Sequence, residues 1–499
     1  MIPKARFLHA ARRTSTALIT VAVCIVSAAP QATCAGNAPL SVPSVRSVRP
    51  APAATPPAPD FDALAKEATA MLQEYIRVDT TNPPGNERRA ADFFKKVFDR
   101  EGIPCEILDM GNNRANVVAH LAGSGKKRPL VLLNHLDVVP VDAARWTVPP
   151  FAGEIRDGYV WGRGATDMKG TAIAHAVTML ALKRSGAALD RDVVFLGTAD
   201  EEEGVEANGA AWVIGNRRDV LRNAELVLTE GAYIDADDAG RAKNWNVDVT
   251  EKSVLWLKVI ATGRAGHGSI PEPNGAVAKL VRAMGRLMAY EPEIRLIPAV
   301  EKYFQSIAAN ETGALADDLR NPRAALADPA RRARLLADPF RSAALRATIS
   351  VTGLKGSDKV NVIPGETTAL IDCRLLPGDD AKVFLETLKR VAAEPDLKWE
   401  IIASSVATES TTDTDLFRAI ERARDRFDPG VPVLTPPLLS TTDATTFRQA
   451  GMVIYGFEAW RIKPDDDQSH GDDERLSLAN IRFGVEAMFF IVWEVCGRK

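Results

Sequence analysis

Segments with helical periodicity alternate with short apolar strands from residue 61 onward, and this alternation constrains the fold more than any other feature. In chain order the pattern predicts helices at Phe61 to Arg77 and Arg88 to Arg100, strands at Asn116 to Leu121 and Leu130 to Asn134, a helix at Ala172 to Leu182, a strand at Val193 to Gly197, a helix at Gly209 to Ile214 and a strand at Leu226 to Thr229. Such alternation is typical of an α/β domain whose helices cover both faces of a mainly parallel sheet. We predict this fold class for residues 61–247.

The pattern changes after residue 247. Residues 248–405 combine long strands with two helices, Ala276 to Ala289 and Ala381 to Ala392, and predict a smaller α+β domain inserted into the first. Within it, residues 291–346 are rich in Ala, Arg and Asp with scattered prolines, which indicates a helical insertion. Helix and strand alternate again beyond residue 405, so residues 406–499 are expected to complete the α/β domain.

The first 59 residues contain no Asp or Glu. Basic residues at the start precede an apolar run, Ala17 to Ala29, that is shorter than the about 20 residues of a typical spanning helix. Small residues around Ala32 to Gly36 offer a cleavage site, so residues 1–35 are predicted to be a signal peptide, with an uncleaved anchor as the alternative. The Pro- and Ala-rich residues 36–59 predict an extended tether. We therefore expect a periplasmic or secreted protein without stable membrane insertion after cleavage.

Charge and composition exclude several classes of protein. The 62 Lys and Arg residues nearly balance 65 Asp and Glu residues, which gives a net charge of −3 and no basic stripe for nucleic acid. The hydrophobic content of 46% indicates a globular protein rather than a disordered one. Cys105, Cys373 and Cys496 follow the predicted signal peptide, and their spacing fits neither a disulfide framework nor a metal site.

Histidine and acidic residues follow successive predicted strands. His135-Leu136-Asp137 comes directly after the strand that ends at Asn134. Alternate residues of an extended segment point to the same side, so Asp137 can orient the imidazole of His135, as metal-bound histidines commonly require. Taken alone, the pair also fits an ordinary hydrogen-bonded contact at a strand end.

Five more candidates occupy comparable places. Asp167 lies in the glycine-rich turn Gly162 to Gly170, Glu201 and Glu202 belong to an acidic run after the strand at Val193, Glu230 follows the strand at Leu226, and His470 precedes the last predicted helix. Each acid on its own could cap a helix or face solvent. Their repetition at strand ends favours one shared site, because ligands of α/β sheets bind at the carboxyl ends of the strands. Mixed histidine and carboxylate ligation is what a hydrolytic zinc pair needs.

These residues resemble the di-zinc amidohydrolases and exopeptidases of metallopeptidase family twenty, which include aminoacylase, acetylornithine deacetylase, succinyl-diaminopimelate desuccinylase and glutamate carboxypeptidase. The resemblance covers nearly the whole chain from Phe61. The matching motifs are Thr81 to Glu87, His135 to Asp137, Gly162 to Gly170, Asp200 to Glu202, Gly266-His267, Asn361 with Arg374, Thr442 to Ala444 and His470-Gly471.

The resemblance implies a role for each site residue. Two zinc ions per chain, for which cobalt or manganese can substitute, are expected to be held by His135 and Glu230 at one site and Glu202 and His470 at the other, with Asp167 bridging them. Glu201 matches the general base and Asp137 the partner that orients a ligand. Because Glu203 follows directly, the assignment of Glu201 and Glu202 can shift by one position. A cis peptide bond between Asp167 and Met168 is also implied.

The inserted domain resembles a lid that also forms a homodimer. His267 is similar to the histidine that reaches the active site of the neighbouring subunit and stabilises the oxyanion. Asn361 and Arg374 resemble substrate-binding residues, and an arginine suits a free α-carboxylate, although Arg374 also fits a surface position. The insertion at 291–346 resembles the longer lids of the carboxypeptidase S and secreted N-acyl-amino-acid hydrolase branch.

We therefore expect an exported zinc-dependent hydrolase that cleaves the amide bond of peptides or N-acyl amino acids with a free carboxylate. A metal-activated water would be the nucleophile. A deacetylase, a desuccinylase or an N-carbamoyl amidohydrolase of the same fold is the alternative. A non-catalytic protein that binds amino-acid derivatives would be expected to have lost a ligand or the base, and this sequence retains them all.

Overall fold

A large mixed sheet, built from strands near both ends of the chain, forms the centre of the fold. The computed structural model describes residues 59–204, 208–463, 466 and 468–498. The predicted signal peptide at 1–35 and the tether at 36–59, apart from Pro59, lie outside these residues. The elements of the first part of the chain are α1 (Phe61–Ile76), α2 (Arg88–Arg100), β1 (Cys105–Gly111), β2 (Arg114–Leu121), β3 (Leu130–His135), β4 (Glu154–Arg156), β5 (Tyr159–Trp161), α3 (Lys169–Arg184), β6 (Val193–Thr198), α4 (Gly209–Asn216), β7 (Leu226–Ala236) and β8 (Ala242–Asn246).

The remaining elements form the inserted region and the return to the central sheet. The inserted region contains β9 (Ser253–Thr262), β10 (Gly266–His267), α5 (Ala276–Ala289), α6 (Pro298–Ile307), α7 (Gly313–Arg320), α8 (Pro322–Ala327), α9 (Pro329–Leu336), α10 (Pro339–Ala344), β11 (Thr348–Lys355), β12 (Val362–Ile363), β13 (Glu366–Leu375), α11 (Ala381–Ala392) and β14 (Lys398–Ser404). The chain then continues through α12 (Asp415–Phe427), β15 (Val433–Leu434), α13 (Ala444–Gln449), β16 (Val453–Ile462), β17 (Arg475–Ser477) and α14 (Leu478–Cys496).

The central sheet has the strand order β1-β2-β6-β3-β7-β8-β15, and β16 also pairs with β7. Strands β3, β6, β7 and β16 run parallel in its middle, whereas β1, β2 and β8 join in antiparallel pairs. Every residue of β3 and β6 is buried, because helices cover both faces of the sheet. The prediction of an α/β fold with a mainly parallel sheet flanked by helices is confirmed.

Alternate side chains of these strands enter two separate hydrophobic cores. Leu130 and Leu132 of β3 pack with α1, α3, α12 and α14 on one face, and Val131 and Leu133 pack with α4 and α13 on the other. The packing of α14 is close: a Cβ atom on Gly484 would lie 2.0 Å from the ring of Trp460 in β16. Strand ends that reach the site are therefore held by helices on both faces.

A smaller antiparallel sheet lies in the inserted region, with the strand order β11-β13-β9-β14. Helices α5 and α11 pack on it and share its core. These elements form the smaller α+β part expected from the sequence, while the boundaries at 248–405 and 406–499 stay predictions. Strand β14 was not predicted, because most of its residues are at least partly exposed and show no regular alternation.

Helices α6 to α10 all lie within the range predicted to be a helical insertion, 291–346. Four of them, α6, α8, α9 and α10, begin with a proline, which is preorganised for the first helical position. Asp328 and Asp338 cap α9 and α10 by accepting backbone hydrogen bonds. The prolines and aspartates that stood out in the sequence therefore mark the starts of short helices.

The described cysteines, Cys105, Cys373 and Cys496, are unpaired. None of the helices in the described part of the chain is both long and apolar enough to cross a membrane.

Candidate active site

Two imidazoles and three carboxylates meet at the carboxyl ends of the central strands. The Nε2 atom of His135, the last residue of β3, lies 2.9 Å from Oδ1 of Asp167 and 3.3 Å from Oε2 of Glu230. The Nε2 atom of His470 lies 3.1 Å from Oδ2 of Asp167 and 3.0 Å from Oε2 of Glu202. Asp167 thus directs one oxygen to each imidazole, and each imidazole has a second carboxylate of its own.

The carboxylates of Glu201 and Glu202 both face this cluster. A ligand atom of Glu201 lies within 4.8 Å of ligand atoms of His135 and Glu230, and one of Glu202 is equally close to His135 and Asp167. The side chain of Glu203 is exposed. The geometry therefore places Glu201 beside His135 and Glu230, and Glu202 in direct contact with His470.

The carboxylate of Asp137 chiefly holds the loop at residues 200–204, which we call the acidic loop. Its carboxylate accepts the backbone N–H groups of Glu201 and Glu202, each at 3.1 Å, and the side-chain amide of Asn82 at 2.8 Å. The Nδ1 atom of His135 lies 3.0 Å from the main-chain oxygen of Asp137 but 3.7 Å from its carboxylate. The shorter contact that orients this imidazole therefore comes from the main chain of Asp137.

The turn that carries Asp167 is held by Glu474, a residue to which the sequence assigned no role. This fully buried carboxylate accepts the backbone N–H groups of Gly164, Thr166 and Asp167 at 2.7 to 3.0 Å and pairs with Arg163 at 2.7 Å. Glu474 lies in the same loop as His470, so one loop supplies a candidate ligand and fixes the turn that carries Asp167. The peptide bond between Asp167 and Met168 is cis, which confirms that prediction.

A second polar network, centred on Arg114, was not predicted from the sequence. Arg114 contacts Glu87 at 2.9 Å, Asp200 at 2.7 Å and the amide oxygen of Asn82 at 2.9 Å. Asn82 in turn donates to Asp137 and Asp200 at 2.8 Å. Asn82 and Glu87 belong to the Thr81 to Glu87 motif, so the motif itself was the available signal, and its role is to hold Asp137 and the acidic loop.

The three site residues predicted in the inserted domain, the catalytic His267 and the substrate-binding Asn361 and Arg374, separate into two groups. Arg374 lines a cavity together with Glu201, Glu202 and His470, and its guanidinium pairs with Asp372 at 2.8 Å and lies over the ring of Trp256. His267 and Asn361 lie on neighbouring exposed segments joined by a hydrogen bond from the Gly268 N–H to the Asn361 oxygen. Neither of these two lines the cavities around the cluster.

Burial and charge shift the protonation of the site. Burial raises the pKa of Glu230 to about 7 and that of Glu201 well above its ordinary value, the latter with a further contribution from the charge of Glu230. Hydrogen bonds to Asp167 and Glu202 raise the pKa of His470 to about 10. Burial lowers the pKa of His135, but Glu230 and Asp167 raise it more, and the net shift is upward. The cluster thus concentrates negative charge in a buried place, which suits divalent cations.

The donor set fits such cations. Two imidazole nitrogens and three carboxylates are the mixed ligands of hydrolytic zinc sites. Oε1 of Glu202 is buried and has no hydrogen-bond partner among the described residues, which suits an oxygen that faces a metal. His135, Glu230 and Asp167 would hold one ion, and Glu202, His470 and Asp167 the other.

A profile described as peptidase family M20/M25/M40 matches residues 131–494, which is most of the chain. The chain belongs to this family. The resemblance to metallopeptidase family twenty is therefore confirmed, and the M20 assignment makes the protein a hydrolase.

Curated relatives match most of this M20 chain. It is 28% identical over 384 residues to a probable carboxypeptidase S-like 2 of Dictyostelium discoideum, which covers 73% of this chain and 71% of that one. It is 27% identical over 425 residues to aminoacylase-1 of Sus scrofa, and this match covers 84% of this chain and 93% of that one. It is 28% identical over 442 residues to the N-fatty-acyl-amino acid synthase/hydrolase PM20D1 of Xenopus tropicalis, covering 84% of each.

Solved M20 structures share the fold. The metallo-carboxypeptidase Sso-CP2 of Sulfolobus solfataricus superposes with a TM-score of 0.66 at 18% identity, covering 86% of this chain and 99% of that one. The YXEP protein of Bacillus subtilis, described as a dinuclear metal binding peptidase, gives a TM-score of 0.54 at 14% identity. This match covers 86% of this chain and 98% of that one. At these identities the likeness supports the fold alone.

Replacing Glu474 tests the support of the Asp167 turn. In Glu474→Gln, an amide would face backbone N–H donors and leave the buried Arg163 without its charge partner, a change that typically costs about 3 to 5 kcal/mol. Loss of an outer partner of a ligand also weakens metal binding by about 10- to 100-fold. Urea unfolding and competition with a chelator measure the two effects.

The matched control is Glu386→Gln, which removes an exposed contact with Lys389. Such pairs contribute about 0 to 1 kcal/mol, so both measurements should stay close to wild type. If Glu474→Gln behaved like this control, Glu474 would not support the site.

Proposed function

We propose that this M20 hydrolase is a di-zinc enzyme that cleaves the amide bond of small substrates with a free carboxylate, of the peptide or N-acyl-amino-acid type. The observation that carries the proposal is the shared carboxylate of Asp167, with one oxygen 2.9 Å from His135 and the other 3.1 Å from His470. A single half-buried carboxylate between two histidine and carboxylate pairs is the arrangement that a pair of bridged metal ions requires.

Bound zinc ions would polarise the scissile carbonyl and lower the pKa of the attacking water. Glu201 then takes the proton of that water and returns it to the leaving nitrogen. Its neighbour Glu202 is committed to His470 at 3.0 Å, so the two adjacent acids have different tasks.

Arg374 is the candidate for recognition of the substrate carboxylate. It lines the same cavity as Glu201 and His470, and Asp372 and Trp256 hold its guanidinium in place. An arginine binds a carboxylate through two parallel hydrogen bonds, which fixes the scissile bond relative to the cluster. A preoriented guanidinium loses less side-chain freedom when the substrate binds.

We further propose that the enzyme is a homodimer in which His267, with Asn361 beside it, acts on the active site of the partner. The exposed position of His267 away from its own cluster supports this arrangement. Helix α5 exposes Val277, Val281 and Met288 along one face, and Leu354 of the edge strand β11 is also exposed. An apolar helix face beside an edge strand is a suitable dimer surface.

Export to the periplasm or the medium is part of the proposal and rests on the basic and apolar pattern of residues 1–35. The names of the curated relatives support carboxypeptidase, aminoacylase or N-acyl-amino-acid hydrolase activity. A deacetylase, a desuccinylase or an N-carbamoyl amidohydrolase is the second candidate, and a panel of substrates separates these activities. A purely binding protein is disfavoured because all candidate ligands converge.

The activity is tested by assaying zinc-reconstituted protein against dipeptides, N-acyl and N-carbamoyl amino acids. Glu201→Gln should retain both metal ions but lose turnover by about 10²- to 10⁴-fold, because the amide keeps the shape and cannot accept a proton. Elemental analysis and initial rates measure the two properties together. Full activity in the variant, or loss of metal instead of turnover, would reverse the roles of Glu201 and Glu202.

Action of His267 across a dimer is tested by mixing two inactive variants. His267→Ala should lower kcat by about 10²- to 10³-fold, the usual effect of losing one oxyanion donor, with metal content unchanged. A heterodimer of His267→Ala with Glu201→Gln has one site with both defects and one site with neither. Activity should therefore partly return once subunits exchange, which differently tagged chains verify. No recovery after verified exchange would contradict action across the dimer.

A further inference from the structure

A second cavity of about 440 Å³ adjoins the cleft at the metal cluster. We call it the side pocket and define it by Tyr233, Tyr303, Phe340 and the loop 436–440. Gly231, Tyr233, Leu438 and Ser440 line both the side pocket and the cleft that contains Asp167, Glu230 and His470. The side pocket therefore lies directly beside the cleft in which a molecule would bind at the cluster.

Two parts of the chain that are far apart in sequence build the walls. The loop 436–440 is held by backbone hydrogen bonds, from Leu438 N–H to the Thr250 oxygen at 3.1 Å and from Lys252 N–H to the Leu438 oxygen at 3.0 Å. The opposite wall comes from the helical insertion, where the rings of Tyr303 in α6 and Phe340 in α10 meet edge to face with centroids 6.1 Å apart. The insertion has its own hydrophobic core, onto which Leu439 packs, so both walls are fixed before any ligand binds.

The lining of the side pocket is mostly apolar and also contains two acids. Aromatic rings, the loop prolines and leucines supply most of it, and Phe340 remains 37% exposed. The described residues that line it include no Lys, Arg or His, while Asp235 and Asp248 are present. An anionic acyl group such as succinyl would meet these acids without a cationic partner, so the pocket disfavours it.

The carboxylate of the substrate has its recognition group elsewhere. Arg374 lines the cavity that shares Glu201, Glu202 and His470 with the cleft, and this cavity shares only Ser440 with the side pocket among the described residues. A substrate whose carboxylate binds Arg374 and whose amide lies at the cluster therefore directs its acyl group towards the side pocket.

From this geometry we propose that the side pocket binds the hydrocarbon chain of an N-acyl amino acid, and that the helical insertion provides the wall that recognises it. This inference rests on the proposed function, because it places the amide of that substrate at the metal cluster. The proposal assigns a role to α6 and α10, and it favours a medium or long apolar acyl group over acetyl or succinyl.

The test compares N-acetyl-, N-octanoyl- and N-dodecanoyl-L-leucine below their micelle concentrations. Burial of each methylene contributes about 0.8 kcal/mol, so kcat/KM should rise at least tenfold from the acetyl to the octanoyl substrate. In Phe340→Asp a charge faces the pocket, and the octanoyl-to-acetyl ratio of kcat/KM should fall at least tenfold. Equal ratios in wild type and variant, or a wild-type preference for acetyl, would overturn the proposal.

Folding should tolerate Phe340→Asp, because position 340 is the second residue of α10 and an acid is favourable in the first turn of a helix. The matched control is Val383→Asp, which places the same charge in the first turn of α11, at a residue 65% exposed and remote from the cleft lining. Both helices have an aspartate cap. The control should keep the wild-type ratio.

A binding measurement separates this proposal from the proposed function. Calorimetric titration of Glu201→Gln with N-octanoyl- and N-acetyl-L-leucine should show at least tenfold tighter binding of the octanoyl compound, and adding Phe340→Asp should abolish that difference. This result without any turnover by the wild-type protein would support the pocket and contradict the hydrolytic function. Equal affinities would overturn the pocket even if amides are hydrolysed.

Discussion

Asp167 directs its two carboxylate oxygens to two different imidazoles, and the rest of the site is arranged around these contacts. A carboxylate in this position must be fixed in both place and orientation, because each oxygen serves a different ligand set. Glu474 supplies this constraint by accepting hydrogen bonds from the backbone N–H groups of the turn, and its bond with the N–H of Asp167 is 3.0 Å long. Glu474 lies 307 residues after Asp167 in the sequence. The position of Asp167 therefore depends on contact between the first and last parts of the α/β region.

The topology of the central sheet explains how this contact arises. The parallel pairing of β3 with β6 and β7 ends on one edge of the sheet. At this edge lie His135 at the end of β3, the loop with Glu201 and Glu202 after β6, and Glu230 within β7, two residues beyond the last one that pairs with β3. Strand β16, from the last part of the chain, pairs with β7 and leads to the loop with His470 and Glu474. The pairing of β16 with β7 thus also brings His470 and Glu474 to the site. The inserted region adds Arg374 and one wall of the side pocket.

Elements with strong periodicity were predictable from the sequence, and so was the set of candidate ligands. Helices α2, α5 and α11 begin and end at the predicted residues, and a histidine or acid after each central strand marked the site. Glu474 was not identifiable, because its partners are mostly backbone N–H groups, which leave no sequence pattern. Two other features depend on contacts between distant parts of the chain, which the spacing of residues in the sequence does not reveal. They are the hydrogen bond between Asn82 and Asp137 and the side pocket that Tyr303 and Gly231 both line.

The most direct test of the account is anomalous diffraction at the zinc absorption edge from crystals of zinc-reconstituted protein. We expect two peaks about 3.5 to 4 Å apart, the spacing of bridged catalytic metal pairs, with one oxygen of Asp167 bound to each. The first ion should also contact His135 and Glu230, and the second His470 and Glu202. A single peak, or two ions that do not share Asp167, would contradict the bridged site on which the proposed chemistry depends.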